Sequence, residues 1–405
     1  MKRVVAKFGG TSVGTPERIR HAARLIQAAV EAGEQPVVVV SAMSGETDRL
    51  LGLAREFGGD LGDRETDVAL AAGEQACSAL MALALRELGL QARSVLGWQA
   101  PVVTTGPYGS ASIDGMDTSV FEALLGEGII PVLAGYQGIN TAADLQTLGR
   151  GGTDLSAAAL AAALKARCDI YTDVDGVYTT DPRIVPEARR LDAVSHDEML
   201  ELAAQGAKVL QPRSVEFAKS HGVPMRVLSS FVEPGESAGT EVMAEPRIAE
   251  KRLVSGVAYA RDQARIALLG SRDGGDIARA CFEALAEGGI GVDMIVQAHS
   301  RTPGTINLEF SVAHKDLEAA LGHLENALSE TEITSETGLA KVSIVGAGLR
   351  QRADIARSLF GVLAERGIEI KVLATSEIKI SALVENDAVE RAVRALHAAY
   401  GLDQI

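Results

Sequence analysis

The sequence is short of cysteine, of basic charge and of long apolar runs, and each shortage closes off a class of protein. Three cysteines in 405 residues, Cys77, Cys168 and Cys281, show no C-x-x-C or metal-ligand spacing. An odd count in a chain this long suits a reducing compartment rather than a disulfide-stapled secreted domain, and the three read as small core residues. Lysine and arginine number 39 against 54 acidic residues, a formal net charge of -15, which disfavours nonspecific attraction to nucleic acid or to an anionic membrane. No run of about 20 apolar residues occurs, and Met1-Lys2-Arg3 leads directly into a strand-like stretch rather than a secretory apolar segment. The expectation is a soluble, cytoplasmic protein with neither a nucleic-acid nor a membrane partner. An acidic protein that handles an anionic ligand must gather cations and backbone donors locally, so those clusters carry the functional information.

The length predicts two or three domains with separate cores. Residues 4–8 and 36–40 are short β-rich runs, and residues 17–30 between them carry apolar side chains at helical spacing. The alternation continues with a helix over about 66–88, a strand within 128–134, a helix over 156–165 and a strand over 168–172. It points to an α/β fold with helices covering a mainly parallel sheet over roughly residues 1–230. Residues 233–250 turn to Pro, Gly, Glu and Ser and read as a boundary. The second half repeats itself: Ile277, Phe282, Leu285, Gly289 and Ile290 match Ile355, Phe360, Leu363, Gly367 and Ile368 at a constant offset. Two βαββαβ modules are implied.

Three clusters carry chemistry. Lys7-Phe8-Gly9-Gly10-Thr11-Ser12-Val13 puts a cation at the end of the first strand and a glycine turn before the next helix. Glycine backbone N–H groups approach phosphate oxygens closely, and a helix N-terminus adds partial positive charge. This is not a Walker phosphate loop, because no G-x-x-x-x-G-K-[ST] is present. Gly149-Arg150-Gly151-Gly152-Thr153-Asp154 is the second cluster. Arg150 suits a two-pronged grip on a carboxylate, Gly151, Gly152 and Thr153 suit a phosphate cradle, and Asp154 suits orientation of Lys7 or of a metal-phosphate group. The third cluster, residues 172–183, mixes turn formers with Thr172, Asp173, Tyr178 and Arg183. Lys208 adds a cation near a predicted helix start.

The runs KFGGTSV, VVVVSAMSGETDRLL, LGRGGTD, YTDVDGVYTTDPR and GAKVLQPRSVEFA, in this order, resemble the successive signatures of aspartate kinases; VDMIVQ and TSEIKIS resemble the paired ACT modules that regulate them. The resemblance implies an amino-acid-kinase-like three-layer sandwich over 1–245, then two ferredoxin-like ACT modules over 246–338 and 339–405. It implies ATP-dependent phosphorylation of the side-chain carboxylate of L-aspartate to 4-phospho-L-aspartate, a first step towards lysine, threonine and methionine. Roles carry over by position: Lys7, Gly10 and Asp154 to catalysis; Ser41, Thr47, Glu74, Arg150 and Thr153 to aspartate; Lys7, Phe8, Gly9, Gly10, Ser12, Thr172, Asp173, Tyr178, Arg183 and Lys208 to ATP. Mg2+ is the expected cofactor beside ATP. Effector binding falls to Asp273, Asp276, Asp293, Gln297, Asp354, Ile355, Thr375 and Glu377, and pairing of ACT modules implies a homodimer.

The sequence also departs from that family. Ala71-Ala72 stand before Gly73-Glu74, Leu155-Ser156 follow Asp154, and Tyr136 takes a place often held by Phe. These keep open a kinase for another acidic amino acid; a noncatalytic amino-acid-binding subunit is the other alternative, and the presence of Lys7, Arg150 and Asp154 argues against it. At the ACT turns, Asp276 and Asp354 stand where the family usually has glycine. A carboxylate there repels an effector carboxylate by about 1 to 4 kcal/mol at roughly 4 Å, or simply caps its helix. The expectation is that feedback by lysine or threonine is weakened or redirected.

Overall fold

A computed structural model describes residues 2–205, 209–244, 253–272, 274–299, 305–328, 331–349 and 352–404. It divides into two units. The first comprises Met1–Val177, Arg190–Ala203 and Lys208–Ala249, the second Tyr178–Arg189, Ala204–Ala207 and Glu250–Ile405.

In the first unit the chain runs β1 (Lys2–Phe8), α1 (Pro16–Glu31), β2 (Glu34–Val40), α2 (Glu46–Glu56), α3 (Arg64–Glu87), β3 (Ala92–Val95), β4 (Val102–Thr105), β5 (Ser112–Met116) and α4 (Ser119–Gly126). It continues through β6 (Ile130–Ala134), β7 (Gln137–Ile139), β8 (Leu145–Thr147), α5 (Gly152–Leu164) and β9 (Arg167–Thr172). It closes with β10 (Ala193–Ser195), α6 (His196–Ala204), α7 (Pro212–His221), β11 (Met225–Ser229) and β12 (Thr240–Met243). Eight strands form one sheet in the order β10-β12-β11-β9-β1-β2-β6-β3, parallel except for the β11–β12 pair. A smaller sheet has the order β5-β4-β7-β8.

The near-continuous apolar run Val37–Val40 is completely buried, as expected of a parallel strand covered on both faces. Ala6 and Phe8 face α1 and α3, joining Ile19, Ile26, Val38, Met81 and Leu85 in one core. Lys7 points the other way, towards α5, because successive strand residues alternate faces. Thr15 caps α1 by accepting from the Arg18 N–H, with Pro16 in the first turn. Helix α3 is long and apolar enough by length and composition to cross a membrane, but more than half of its apolar window is buried in the fold. Asp67 and Glu74 are buried on it. Cys77, Cys168 and Cys281 are all buried free thiols.

Beneath the sheet's centre Asp169, whose side chain is 2% exposed, accepts from Arg167 at 2.7 and 2.9 Å and from Arg226 at 2.9 and 2.5 Å. Glu34 accepts from the same Arg167 Nη2 at 2.8 Å. Replacing Asp169→Asn removes the anion between two half-buried guanidiniums. The expected cost is about 2 kcal/mol, discounted for their partial exposure, and a urea titration measures it.

The second unit contains β13 (Gly256–Arg272), α8 (Gly274–Glu287), β14 (Val292–His299), β15 (Thr305–Ala313), α9 (Leu317–Ala327), β16 (Glu332–Val345), α10 (Ala353–Glu365), β17 (Val372–Thr375), β18 (Lys379–Glu385) and α11 (Val389–Ala399). Its six strands form one antiparallel sheet, β14-β15-β13-β16-β18-β17. The two repeats are visible as two cores. One gathers Ala264, Ile266 and Phe310 under α8 and α9, the other Val342, Ile344 and Ala382 under α10 and α11. They share their central strands. Gln263–Leu269 pairs with the first half of β16, whereas Gly256–Ala260 pairs with Lys341–Val345 and so supplies a strand beside the second core. The repeat is also unequal in packing: Phe282 meets Phe310 at 5.9 Å between centroids, while its counterpart Phe360 is 46% exposed. Ile184 and Val185, which lie far earlier in the chain, are buried in the second of these cores.

Candidate active site

The order of the large sheet reverses around β1, which lies between β2 and β9, all parallel, with Lys7 opposite Val39 and Ile170. The C-terminal edge at such a switch point leaves a crevice, because the chain departs in opposite directions from the neighbouring strands. Lys7 is buried there, with Nζ 2.5 Å from Asp154 Oδ1. Asp154 reaches it because α5 begins at Gly152, earlier than the sequence periodicity predicts. Gly151 holds φ +77 as the N-cap residue, a left-handed conformation that disfavours a β-carbon. Thr153 and Asp154 are therefore buried in the first helical turn, where backbone N–H groups have no intrahelical acceptor and the helix end is partly positive.

Gly10 starts a short 3-10 turn, Gly10–Val13. A β-carbon on Gly10 would stand 3.1 Å from the Ala42 carbonyl, and one on Gly9 3.3 Å from Lys7 Nζ. Gly9 thus keeps space open beside the lysine, and Gly10 admits the close approach of the Ala42–Ser44 backbone. Phe8 and Ser12 act as braces. Phe8 is fully buried and stacks on Tyr171 at 4.7 Å. Ser12 is also fully buried, its hydroxyl 2.7 Å from Ser230 Oγ.

Ser41 follows β2 and donates its N–H to Phe8 O at 3.1 Å; Thr47 is half-buried in the first turn of α2. Glu74 is 3% exposed. One of its oxygens accepts from the Ala42 N–H at 3.0 Å, while Oε2 is buried with no hydrogen-bond partner. Burial pushes its carboxyl up to about 7. Arg150 is exposed at the tip of the Gly149–Gly151 turn. Tyr136 is held at φ 69; burial raises its pKa, a Thr147 hydrogen bond and the Arg150 charge oppose that, and the charges of Glu74 and Asp67 reinforce it. Of the departures from the family pattern, Ala71 and Leu155 are buried in packing, and Ser156 donates to Gly152 O at 2.9 Å while receiving the Tyr136 N–H at 3.1 Å.

Two supports were missed in the sequence. Asp67 accepts from Thr147 N, Thr147 Oγ1 and Gly109 N at 2.8, 2.7 and 3.0 Å. Arg213 donates to Leu148 O and Ala111 O at 2.7 and 3.0 Å. Together they hold the base of the Arg150 loop. Arg213 lay inside the QPRSVEFA run, but no local pattern marks an acid on α3 as the loop's acceptor.

Thr172 ends β9 in the first unit, its hydroxyl donating to Asp173 Oδ1 at 3.1 Å. Tyr178 and Arg183 belong to Tyr178–Arg189, which packs within the second unit. Arg183 pairs with Asp181 at 2.8 Å. That pairing, with the backbone and Tyr259 hydrogen bonds, holds the Asp181 carboxyl down at about 2. Lys208 and Asp273 lie outside the described residues.

In the second unit, Asp276 is exposed in the first turn of α8, 3.8 Å from Arg279. Asp354, in the first turn of α10, pairs with Arg352 at 2.7 Å, and that partner first, with the helix N–H groups, keeps its carboxyl at about 2. Burial alone would raise the Asp293 pKa, but the Lys341 ammonium bonded to it leaves it lowered overall. Ile355 is buried in the second core, and Gln297, Thr375 and Glu377 are exposed.

The model of the amino acid kinase family matches residues 2–229, and an ACT domain model matches residues 342–400. An aspartokinase of Geobacillus stearothermophilus is 45% identical over 98% of this chain and 97% of its own length. The structure of E. coli aspartokinase III with aspartate and ADP aligns at 27% identity and TM-score 0.81, covering 98% and 99% of the two chains; its form with lysine and aspartate aligns at 26% and 0.76 over the same shares. With the buried lysine, the helix N-terminus and the glycine turn arranged around one sheet edge, the chain belongs to the aspartokinase family.

Proposed function

We propose that the transferring phosphoryl group lies between Lys7, the Gly9-Gly10 turn and the N-terminus of α5, with aspartate held by Glu74 and Arg150. The observation that carries this reading is the Lys7–Asp154 pair at 2.5 Å, which aims a cation held by its own counter-ion at the open switch point. As an aspartate kinase, the chain passes the γ-phosphoryl of ATP to a carboxylate. A carboxylate acceptor is already ionised near neutral pH, so no general base is needed. The barrier is repulsion between anions, and catalysis reduces to positioning and charge neutralisation. Ser41, Thr47 and Thr153 complete the aspartate side, Thr172 and Asp173 the nucleotide side.

Mg2+ fits this arrangement as an ion carried by the nucleotide. Among the described residues no group of three His, Cys, Asp or Glu side chains could hold a metal, and Asp154 Oδ1 is already paired with Lys7 Nζ, so the phosphates would make up the protein-side deficit of ligands. The ion would add charge neutralisation on the phosphates. Preference for aspartate over glutamate is tested by comparing the two in an ADP-release assay.

The ACT modules are proposed to bind an amino-acid effector and to join two copies through their sheet edges. The E. coli enzyme's lysine-bound form supports the first point. Arg352 offsets the charge of Asp354 at 2.7 Å, whereas among the described residues the cation nearest Asp276 is Arg279 at 3.8 Å, so repulsion of an effector carboxylate is concentrated at the first turn. Lysine and threonine are expected to inhibit only above millimolar concentrations; strong sub-millimolar inhibition by either overturns the weakened-feedback reading. Light scattering in the same buffers is expected to give twice the chain mass.

A further inference from the structure

Arg18 is placed unlike an ordinary surface arginine. It sits in the first turn of α1, yet its guanidinium lies 3.7 Å over the Phe231 ring, and Nε is buried with no hydrogen-bond partner. Among the described residues no carboxylate pairs with it, and burial lowers its pKa. Its Nη2 donates to the Ser230 carbonyl and also lies 3.3 Å from Ser230 Oγ.

Ser230 is the junction of three strand ends. Its N–H donates to Thr172 O at 2.8 Å, its hydroxyl lies 3.0 Å from the same carbonyl, and Ser12 Oγ lies 2.7 Å from it. A hydroxyl has one proton and two lone pairs. With Arg18 donating to the Ser230 oxygen, the Ser230 proton is directed to Thr172, and the second lone pair accepts from Ser12. Ser12 Oγ also lies 3.4 Å from the Tyr171 carbonyl. By occupying one Ser230 lone pair and leaving the Ser230 proton to Thr172, the cation favours the order Ser12 to Ser230 to Thr172 over donation from Ser12 to Tyr171, and so holds the Gly10–Val13 turn against the end of β9.

We infer that Arg18 is a positioning residue for the nucleotide, acting through Ser230 and Ser12 to hold the glycine turn and the Thr172 carbonyl in the geometry that receives ATP phosphates. This rests on the reading that the Gly9-Gly10 turn contacts those phosphates.

The test compares steady-state kinetics of Arg18→Met, Ser12→Ala and the double variant with the parent, alongside thermal melting. Each single variant is expected to lose about tenfold in kcat/KM for ATP with KM for aspartate within about twofold, and the double to lose no more than the worse single. Arg18→Lys, which keeps the charge but not the planar fork or the stacking, is expected to recover part of the loss. Retained kcat/KM for ATP, an equal loss for both substrates, or losses that multiply in the double variant overturns the inference. If Arg18→Met melts far below the parent, Ser12→Ala decides alone: unchanged kcat/KM for ATP in it overturns the inference. Lys7→Ala run in parallel separates the two levels: inactivity there with a normal Arg18→Met removes only Arg18, whereas normal turnover in Lys7→Ala removes the phosphate reading itself.

Discussion

Lys7→Ala is expected to lower kcat by at least about a hundredfold, about 3 kcal/mol of barrier, while the protein still folds. The lysine is the full positive charge at the end of β1, and beyond Phe8 the turn continues with two glycines that bring no charge, with β-carbon contacts of 3.3 and 3.1 Å if side chains were added. The loss should fall on kcat rather than on aspartate KM, because the charge is needed where negative charge crosses between two anions. Removing Lys7 also strands the buried Asp154 carboxylate. Lys7→Met with Asp154→Asn removes both charges and separates that strain from chemistry. If the double variant is as stable as the parent and equally inactive, the loss is catalytic; near-parental turnover in Lys7→Ala would take the lysine out of the reaction.

Glu74 supplies the second large effect, with a pH signature. Its carboxyl is raised to about 7, chiefly by burial, which outweighs the backbone N–H groups of Ala42 and of Glu74 itself, from an ordinary value of about 4.3. To hold the substrate ammonium it must be ionised. Aspartate KM should therefore be flat above pH 7 and climb as pH falls, approaching roughly tenfold per unit below about pH 6. Glu74→Gln should raise that KM at least about a hundredfold at pH 8 and abolish the pH dependence. A parent profile that stays flat down to pH 5, or a Gln variant with ordinary affinity, would reassign the residue.

The same shift has a consequence for the empty enzyme. An acid whose folded pKa lies above its unfolded value favours the fold when protonated, so the contribution is complete below about pH 4 and is lost as pH rises through 7. Glu74→Gln should accordingly melt higher than the parent at pH 8, with the advantage vanishing near pH 5. Substrate affinity and stability pull in opposite directions at this residue.

Sequence periodicity determined a large part of the architecture. Alternating β-rich runs and helical spacing placed β1, α1, β2, α3 and β9 close to their observed bounds, because strand and helix patterns are local and repeat within a few residues. The internal repeat likewise announced α8 and α10. Chemistry-bearing positions were legible where glycine, lysine and arginine cluster in one turn.

Tertiary structure decided the rest. Whether Glu74 is charged depends on the water that distant segments exclude, and the Lys7–Asp154 pair joins residues that no window contains together. The Arg18–Ser230 contact spans 212 positions, and Gly256–Ala260 lies beside the second repeat's core only because β13 and β16 pair along their length. Burial, ion pairing and strand exchange are set by which segments meet in space, and that is a property of the whole chain rather than of any stretch within it.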